Sequence, residues 1–437
     1  MEIVNGFSKM NKDKKISWLS EQQDIDLDFV RDFWHKDVEK QKVFDEFSEN
    51  TVTNFFFPYG LAPNFSINNR IYTVPLVIEE SSVVAAASKS AKFWLDRGGF
   101  KAKVISTIKK GQVHFLWEGG DTKKLFDFFQ LKKTELILSV KDLVQNMEKR
   151  GGGIKDILIV DKTNSLENYY QLDVQFETCD AMGANFINSV LEALGQKISE
   201  LAISFDGFHN SEKNIEVIMC ILSNYTPECL VKAYVECPIE ELGEFADGMS
   251  AKDFARRFER AVKIAKIDVS RAVTHNKGIF NGIDAVILAT GNDFRAIEAC
   301  GHAYAARDGQ YRGLSSCSLA EGNFYFELTL PLALGTVGGL TKLHPMAKAT
   351  LDILENPSAE ELMMIVATVG LAQNFGAVRS LVTTGIQKGH MKMHLLNILN
   401  QLGATEAECE EAKEVFKTQT VSFSSVRNYL ESKRNVQ

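Results

Sequence analysis

The 437-residue chain predicts an α+β fold in which a large, mainly helical unit is interrupted by a small α+β unit and followed by a C-terminal helical segment. Three observations predict it. The chain exceeds the ~250–300 residues at which single cores stop growing. Short β-rich runs crowd into residues 101–222, while helical stretches dominate on both sides. Gly385 and Gly389 punctuate the chain before its last helical stretches. The expected boundaries are 1–106 with 223–384 for the large unit, 107–222 for the small unit and 385–437 for the tail.

In chain order, residues 12–50 read as polar helices, and the Gly, Pro and Asn residues of 58–64 read as a loop. Ile71–Ile78 is a β-branched run of strand type. Glu79-Glu80-Ser81-Ser82 precedes the apolar stretch Val83–Trp94, where either serine can cap a helix that Gly98 closes. Glu80 therefore falls at a strand-to-helix junction. The small unit offers strands at Ala102–Ile108, Val113–Trp117, Glu135–Ser139, Ile157–Val160, Tyr169–Phe176 and Ile215–Leu222, with helices at Asp142–Lys149 and about Ala184–Leu194. Beyond it, Ala251–Lys263 is an amphipathic helix, and 282–306 reads as an apolar strand, a Gly291-Asn292-Asp293 turn and a helix. A strand at 323–331, a loop marked by Gly335, Gly338 and Gly339, and helices at about 346–354, 358–376, 390–402 and 406–433 complete the reading.

Hydrophobic residues make up 45% of the chain and charged residues 24%, which excludes disordered and fibrous classes. With 49 basic and 57 acidic residues interspersed, the formal charge of −8 argues against a nucleic-acid binder. Cys179, Cys220, Cys229, Cys237, Cys300, Cys317 and Cys409 are odd in number and form no CxxC pair, so reduced thiols are expected. Met1–Leu19 is polar and Lys-rich, unlike a secretory signal, and the rest shows no run of ~18 apolar residues, so a soluble cytoplasmic protein without a membrane span is expected.

Phosphate-loop, GxGxxG, HExxH and GxSxG signatures are missing, so a Rossmann nucleotide site is unsupported. Asp180-Ala181-Met182-Gly183-Ala184-Asn185 places small residues at a helix mouth, where free N–H groups can face phosphate, although a plain helix start explains the same residues. Arg271–Ile279 gathers polar and basic side chains around Lys277 and, read alone, is a solvated loop. Asp293, at the end of the apolar run Ala285–Thr290, can cap a helix or serve chemistry. Glu80 could join Lys277 and Asp293 in a hydrogen-bonded cluster that keeps one carboxylic acid protonated and the lysine charged. His390 and His394, four apart, could share a helix face, but no third ligand accompanies them and no metal is expected. Gly385 and Gly389 suggest instead a hinge that carries a histidine onto a site.

Taken together, Val77–Ser88, Asp180–Asn185, Thr274–Lys277 with Asn281–Asp284, Gly291–Asp293, Val369–Ala377 and Gln387–Met391 resemble, in this order, the class II 3-hydroxy-3-methylglutaryl-CoA reductases. The resemblance spans roughly residues 60–400. It implies a four-electron reduction of 3-hydroxy-3-methylglutaryl-CoA to mevalonate and CoA with NADH or NADPH, through a thiohemiacetal and mevaldehyde. By the same comparison Lys277 stabilises the oxyanion, Glu80 donates the proton, Asp293 tunes both, and His390 protonates the departing CoA thiolate. Ser82, Arg271, Thr274, Asn281 and Gln373 would hold the hydroxymethylglutaryl group, with Arg271 as the carboxylate clamp. Asp180, Met182, Gly183, Ala184 and Asn185 would line the nicotinamide cofactor in a small non-Rossmann domain. The resemblance further implies a homodimer with shared active sites and a tail acting as a closing flap. Departures include Ser81 and Phe294, where relatives usually carry proline and tryptophan, and Ser8-Lys9, where they often present an arginine. Residues 202–213 look like a local insertion. Lys141 and Asp142, expected near a strand end, leave the choice of NAD or NADP open.

Overall fold

The computed structural model describes residues 3–245, 248–383, 385, 395–416, 419 and 421–434. The N-terminal helices α1 (Lys12–Gln23) and α2 (Val38–Asp45) each start on a side-chain cap, Asn11 and Asp37, which accept from otherwise free N–H groups. β1 (Tyr59–Ile67) and β2 (Arg70–Val77) then form a hairpin turned by Asn68 and Asn69, at φ 49° and 69°. Residues 58–64 are thus largely strand rather than the expected loop. The Pro63-Asn64 pair sits in an irregularity between Ala62 and Phe65, a place where a strand tolerates proline. The chain continues into α3 (Val83–Leu95) and β3 (Lys101–Val104).

β4 (Lys109–Trp117), β5 (Gly153–Asp161), β6 (Tyr169–Glu177) and β7 (Ile215–Leu222) build one antiparallel sheet in the order β5-β6-β4-β7. Strict alternation of buried and less buried residues in β4 and β6 turns one face toward the helices α4 (Thr122–Ser139), α5 (Lys141–Glu148) and α6 (Ala184–Ser204). This sheet has its own buried cluster, running from Val113 to Ile215. Glu135–Ser139, expected as a strand, ends α4. Its true period shows over a longer window, where Leu125, Phe128, Phe129 and Leu136 are the buried positions and Asp121 caps the start. The insertion-like stretch 202–213 is not loose: Phe208 is fully buried against Phe128 at 4.7 Å, and Trp117 donates its indole N–H to the Glu212 carbonyl at 2.7 Å.

The second large sheet, β3-β8-β10-β9, is also antiparallel and comprises β8 (Leu230–Pro238), β9 (Ser315–Ala320) and β10 (Asn323–Pro331). Around it lie α7 (Ala251–Ile267), α8 (Val269–Ala289), α9 (Phe294–Ala305), α10 (Leu340–Leu343), α11 (Pro345–Ile353) and α12 (Ala359–Val382). Arg271–Ile279, read alone as a loop, and 282–289, expected as a strand, are one continuous helix, α8. Ala272, His275, Ile279, Ile283, Val286 and Ile287 recur at three- and four-residue spacing on its buried side. Two glycines obscured this period, and Gly282 is there because α12 comes close: a Cβ would lie 2.9 Å from the Val369 carbonyl oxygen.

α12 extends the helix expected at about 358–376 to Val382. It is long and apolar enough to cross a membrane, yet 78% of its most apolar window is buried inside the protein, where it packs on α8, α3 and β8. The region expected as a single helix over 406–433 holds two, Glu406–Val415 and Phe423–Arg434, packed with 395–401 through Leu399, Ala412, Val426 and Leu430.

Phe258, on α7, is fully buried and meets Phe324, Phe326 and Phe375 at 5.0 to 5.5 Å. Phe258→Ala should cost about 3–5 kcal/mol in urea unfolding followed by near-ultraviolet circular dichroism, because such a core has little room to collapse.

Candidate active site

β2 ends at Val77, and the chain turns through Ile78–Ser82 into α3. Ser82 takes the N-cap position at φ +76° without a side-chain capping bond, so its hydroxyl is not spent on the helix. A serine in the left-handed region is strained by about 1–2 kcal/mol, a cost that marks the turn as held for a purpose. On the facing side, α8 presents Arg271, Thr274, Lys277 and Asn281 at helical spacing, and α12 presents Gln373. These residues, with Glu80 and Ser82, border one cavity of about 390 Å³.

Within it, Lys277 Nζ donates to Glu80 Oε2 at 2.5 Å and Asn281 Nδ2 lies 3.3 Å from the same oxygen. The pair is partly open to solvent, with 59% of the lysine side chain and 37% of the glutamate exposed. Arg271 is half-buried, and burial pulls its pKa below the ordinary guanidinium value. Gln373 is 6% exposed and its Oε1 has no partner. The cavity lining thus combines two ammoniums, Lys277 and Lys89, a guanidinium, the amides of Asn281, Gln373 and Asn374, and a carboxylate, a donor-rich set suited to an acidic substrate with a carbonyl.

Asp293 is elsewhere. α8 runs on for twelve residues beyond Lys277, about 18 Å of helix, before the chain turns. There Asp293 caps α9 and takes two hydrogen bonds from the Arg295 guanidinium, both 3.0 Å. Burial alone would raise its pKa, but the Arg295 guanidinium's hydrogen bonds and charge, together with the Ala296 and Arg295 N–H groups, outweigh that and hold the carboxyl below the usual range. Of the expected Glu80–Lys277–Asp293 cluster, one chain assembles the first two members. The reason is helix length, which the strand reading of 285–290 concealed. His390 lies outside the described residues, as does His394.

The Asp180–Asn185 loop lies on the same side as Asp293. Gly183, at φ +90°, begins the 21-residue helix α6, which has no side-chain cap and no acidic residue in its first turn. The first N–H groups are therefore available, and the residues fit a dinucleotide phosphate. Met182 and Ala184 border a small cleft with Lys109 and with Ala296 of α9. The loop is clasped by 335–337: Asp180 O accepts from Thr336 N at 2.9 Å, and a Cβ at Gly335 would lie 2.4 Å from Met182 N. The Asp180 carboxylate is committed to Ala359 N at 2.7 Å, which seats the loop on the start of α12. Lys109, which sequence reasoning missed, is 5% exposed and donates to Thr178 Oγ1 and Ala181 O at 2.5 and 2.8 Å. Burial lowers its pKa. Lys141 and Asp142 start α5 at a helix junction and are exposed; the strand end expected beside them is not there.

His275 was hidden among the polar residues of α8 and is 1% exposed. Ser315 Oγ donates to Asn374 Oδ1 at 2.8 Å, so it accepts from His275 Nε2 at 2.6 Å, leaving Nδ1 bare and unpartnered. Burial, then Arg271 nearby, pushes the imidazole down to about 3. Because the folded pKa lies below the unfolded one of about 6.5, the unfolded chain takes up the proton first as pH falls, and stability is lost below pH 6.5. The parent should lose roughly 2 kcal/mol more than His275→Gln between pH 7 and pH 5 in urea unfolding. Equal losses would clear His275 of the effect.

Residues 11–395 match the family described as hydroxymethylglutaryl-coenzyme A reductase. The chain is 34% identical to 3-hydroxy-3-methylglutaryl-coenzyme A reductase of Archaeoglobus fulgidus over 417 residues, covering 94% of this chain and 90% of that protein. It is 32% identical to the probable reductase of Borreliella burgdorferi, covering 92% and 89%. Among solved structures, the reductase of Streptococcus pneumoniae superposes with a TM-score of 0.73 at 36% identity over 98% of this chain and 99% of that one. The class II reductase of the same organism, bound to NADPH in open conformations, superposes at 0.72 with 37% identity over 87% and 99%. With a family match across most of its length and relatives above 30% identity over nine-tenths of it, the chain belongs to the hydroxymethylglutaryl-coenzyme A reductase family, class II.

Proposed function

We propose that the chain interconverts 3-hydroxy-3-methylglutaryl-CoA and mevalonate plus CoA, with NADH or NADPH as the hydride source, and that the cavity between α3, α8 and α12 holds the thioester. The observation that carries this reading is the Lys277–Glu80–Asn281 contact inside a cavity that also holds Arg271 and Ser82. Arg271 clamps the free carboxylate of the acyl group, while Ser82, Thr274 and Gln373 orient it. Lys277 faces the carbonyl oxygen as it gains negative charge, and Glu80, in contact with the lysine, supplies the proton that oxygen needs. Asn281 keeps Glu80 aimed. When the C–S bond breaks, the sulfur leaves as a thiolate, and His390 on the C-terminal segment is the proton donor this reading assigns to it.

A reduced nicotinamide supplies one hydride in each of two reductions. Gly183, Ala184 and Asn185 at the start of α6 would hold its phosphates, with Met182 against it and Asp180 holding the loop in place. A non-redox CoA-thioester enzyme would have no use for this loop, nor a silent CoA binder for the lysine–glutamate pair.

The separation of Asp293 and the 180–185 loop from the Lys277 cavity supports a homodimer in which each site takes its substrate half from one chain and its cofactor half from the other. The division into a substrate domain (1–106 and 223–384), a cofactor domain (107–222) and a C-terminal flap (385–437) stays part of the proposal, supported by three separate buried clusters.

Absorbance at the nicotinamide band should show oxidation of about two cofactors per thioester, and Lys277→Ala should lower kcat by about 10²–10³-fold with circular dichroism unchanged. Retained turnover in that variant would sink the lysine's role. Co-expressed Lys277→Ala and Asp293→Ala chains, each inactive alone, should regain activity when mixed, since one of the two shared sites is then intact. No recovery in a verified mixed dimer would place both residues in the same chain's site.

A further inference from the structure

Lys109 opens β4, where the chain passes from the larger body into the small sheet, and its ammonium lies against the turn of residues 178–183. That turn is sharply bent. Cys179 stands at φ +49° and Gly183 at φ +90°, and a Cβ at Gly183 would lie 2.6 Å from Thr178 Cγ2. A non-glycine residue in the left-handed region persists only where its surroundings hold it. Lys109 supplies part of that hold: its Nζ donates to Thr178 Oγ1 and to Ala181 O, and the Thr178 hydroxyl donates to the same carbonyl at 2.6 Å. Lysine, threonine and carbonyl close a ring on the buried side of the turn.

Charge sets this lysine apart. It is 5% exposed and forms no ion pair among the described residues, whereas its neighbour Lys110 meets Glu228 at 2.7 Å. A buried ammonium without an ion pair costs stability. Glu177 and Asp180 reach it by their charge, and the hydrogen bonds of both are made elsewhere. Glu177 Oε1 accepts from Cys179 N at 2.8 Å and its Oε2 from Thr107, while Asp180 accepts from Ala359 N. Without Lys109, the turn leading into α6 would carry two uncompensated carboxylates. The positive end of a helix amounts to only about half an elementary charge, so two nearby negative charges would cancel its attraction for an anion.

Resting on the reductase reading, we propose that Lys109 is a positioning residue for the nicotinamide dinucleotide: its ammonium balances Glu177 and Asp180 and props the Ala181 carbonyl, so that the start of α6 meets the dinucleotide phosphates as a net donor. It acts through the turn and touches no reacting atom. The charge is buried because it serves the shape and the polarity of the turn together.

The test measures NADH and NADPH binding by calorimetry in the parent, Lys109→Met, Glu177→Gln and the double variant. Methionine keeps the length of the lysine stem, and glutamine keeps an acceptor for Cys179 N. Lys109→Met should weaken dinucleotide binding about tenfold, with free CoA bound as in the parent. Glu177→Gln should tighten binding severalfold, and in the double variant it should recover most of the loss, a rescue that a purely structural lysine does not allow. Equal binding in the parent and Lys109→Met would overturn the assignment, and so would a loss that Glu177→Gln leaves in place. If Lys109→Met does not fold, Glu177→Gln alone decides: tighter binding keeps the charge balance, and unchanged binding removes it. Should the parent bind neither nicotinamide, the reductase reading fails, and inorganic pyrophosphate becomes the probe. The same loss and recovery would then keep a charge-balanced anion site, and equal or absent binding would remove it.

Discussion

The substrate half of the site depends on how closely α8 and α12 approach at Gly282. Without a Cβ there, the Val369 carbonyl and the Gln373 stem come up against the α8 backbone, closer than any side chain would permit. That contact fixes the rotation of both helices. It brings Gln373 to the level of Asn281 and Lys277, and directs the residues one to two turns farther along α12, Gly376 and Arg379, onto α3. The turn into α3 completes the arrangement, because Ser82 leaves its hydroxyl unused as a cap and Glu80 stands where the lysine can reach it. Rigid, buried helices thus carry the polar groups, which is how a charged constellation keeps its geometry in a partly open cavity.

A second set of contacts holds the 180–185 loop, and it belongs to a different part of the chain. The loop follows β6 of the small sheet, yet its carbonyl and carboxylate are bound by Thr336 and Ala359, both from the larger body. Asn292, next to Asp293, accepts from Gly335 N at 2.9 Å. Asp293, the 335–337 clasp and the start of α6 are therefore tied together beyond the far end of α8, whereas Glu80 and Lys277 meet about 18 Å of helix before that end. A reaction that needs hydride transfer onto a carbonyl held by Lys277 must close the gap between these pieces, and in one chain α8 itself keeps them apart.

Much of this was legible in the sequence because it depends on local patterning. Alternation over β6 and β10 and the junction at Glu80 follow from residues a few positions apart. The lines that failed needed longer range. Residues 282–289 look like a buried strand in a short window, since a helix surrounded by protein on most sides loses its polar face and its period with it. Glu135–Ser139 failed likewise at the end of an 18-residue helix. Of the site, Ser82, Arg271, Thr274, Asn281 and Gln373 were named from family resemblance and all border one cavity. Lys109 and His275 escaped because burial of a basic group is a tertiary fact.

The distribution of charge ties these points together. The protein is acidic overall, at −8, and many of its surface cations are neutralised locally, as Arg70 is by Glu355 and Glu361 and Arg312 is by Asp308. Along the α3–α12 seam that pattern breaks. Arg271 and Arg379 are partly buried, burial pulls both guanidiniums below their ordinary pKa, and neither forms an ion pair among the described residues. A guanidinium withdrawn from water without a counter-charge costs stability; Arg379 offsets part of that cost over the Phe93 and Phe245 rings, whereas Arg271 shows no such ring among the described residues. For Arg271, the proposed reading supplies the counter-charge as the free carboxylate of the acyl group. Net acidity then keeps non-specific polyanions away, while the cavity at Arg271 leaves one place where an acidic substrate meets an uncompensated cation.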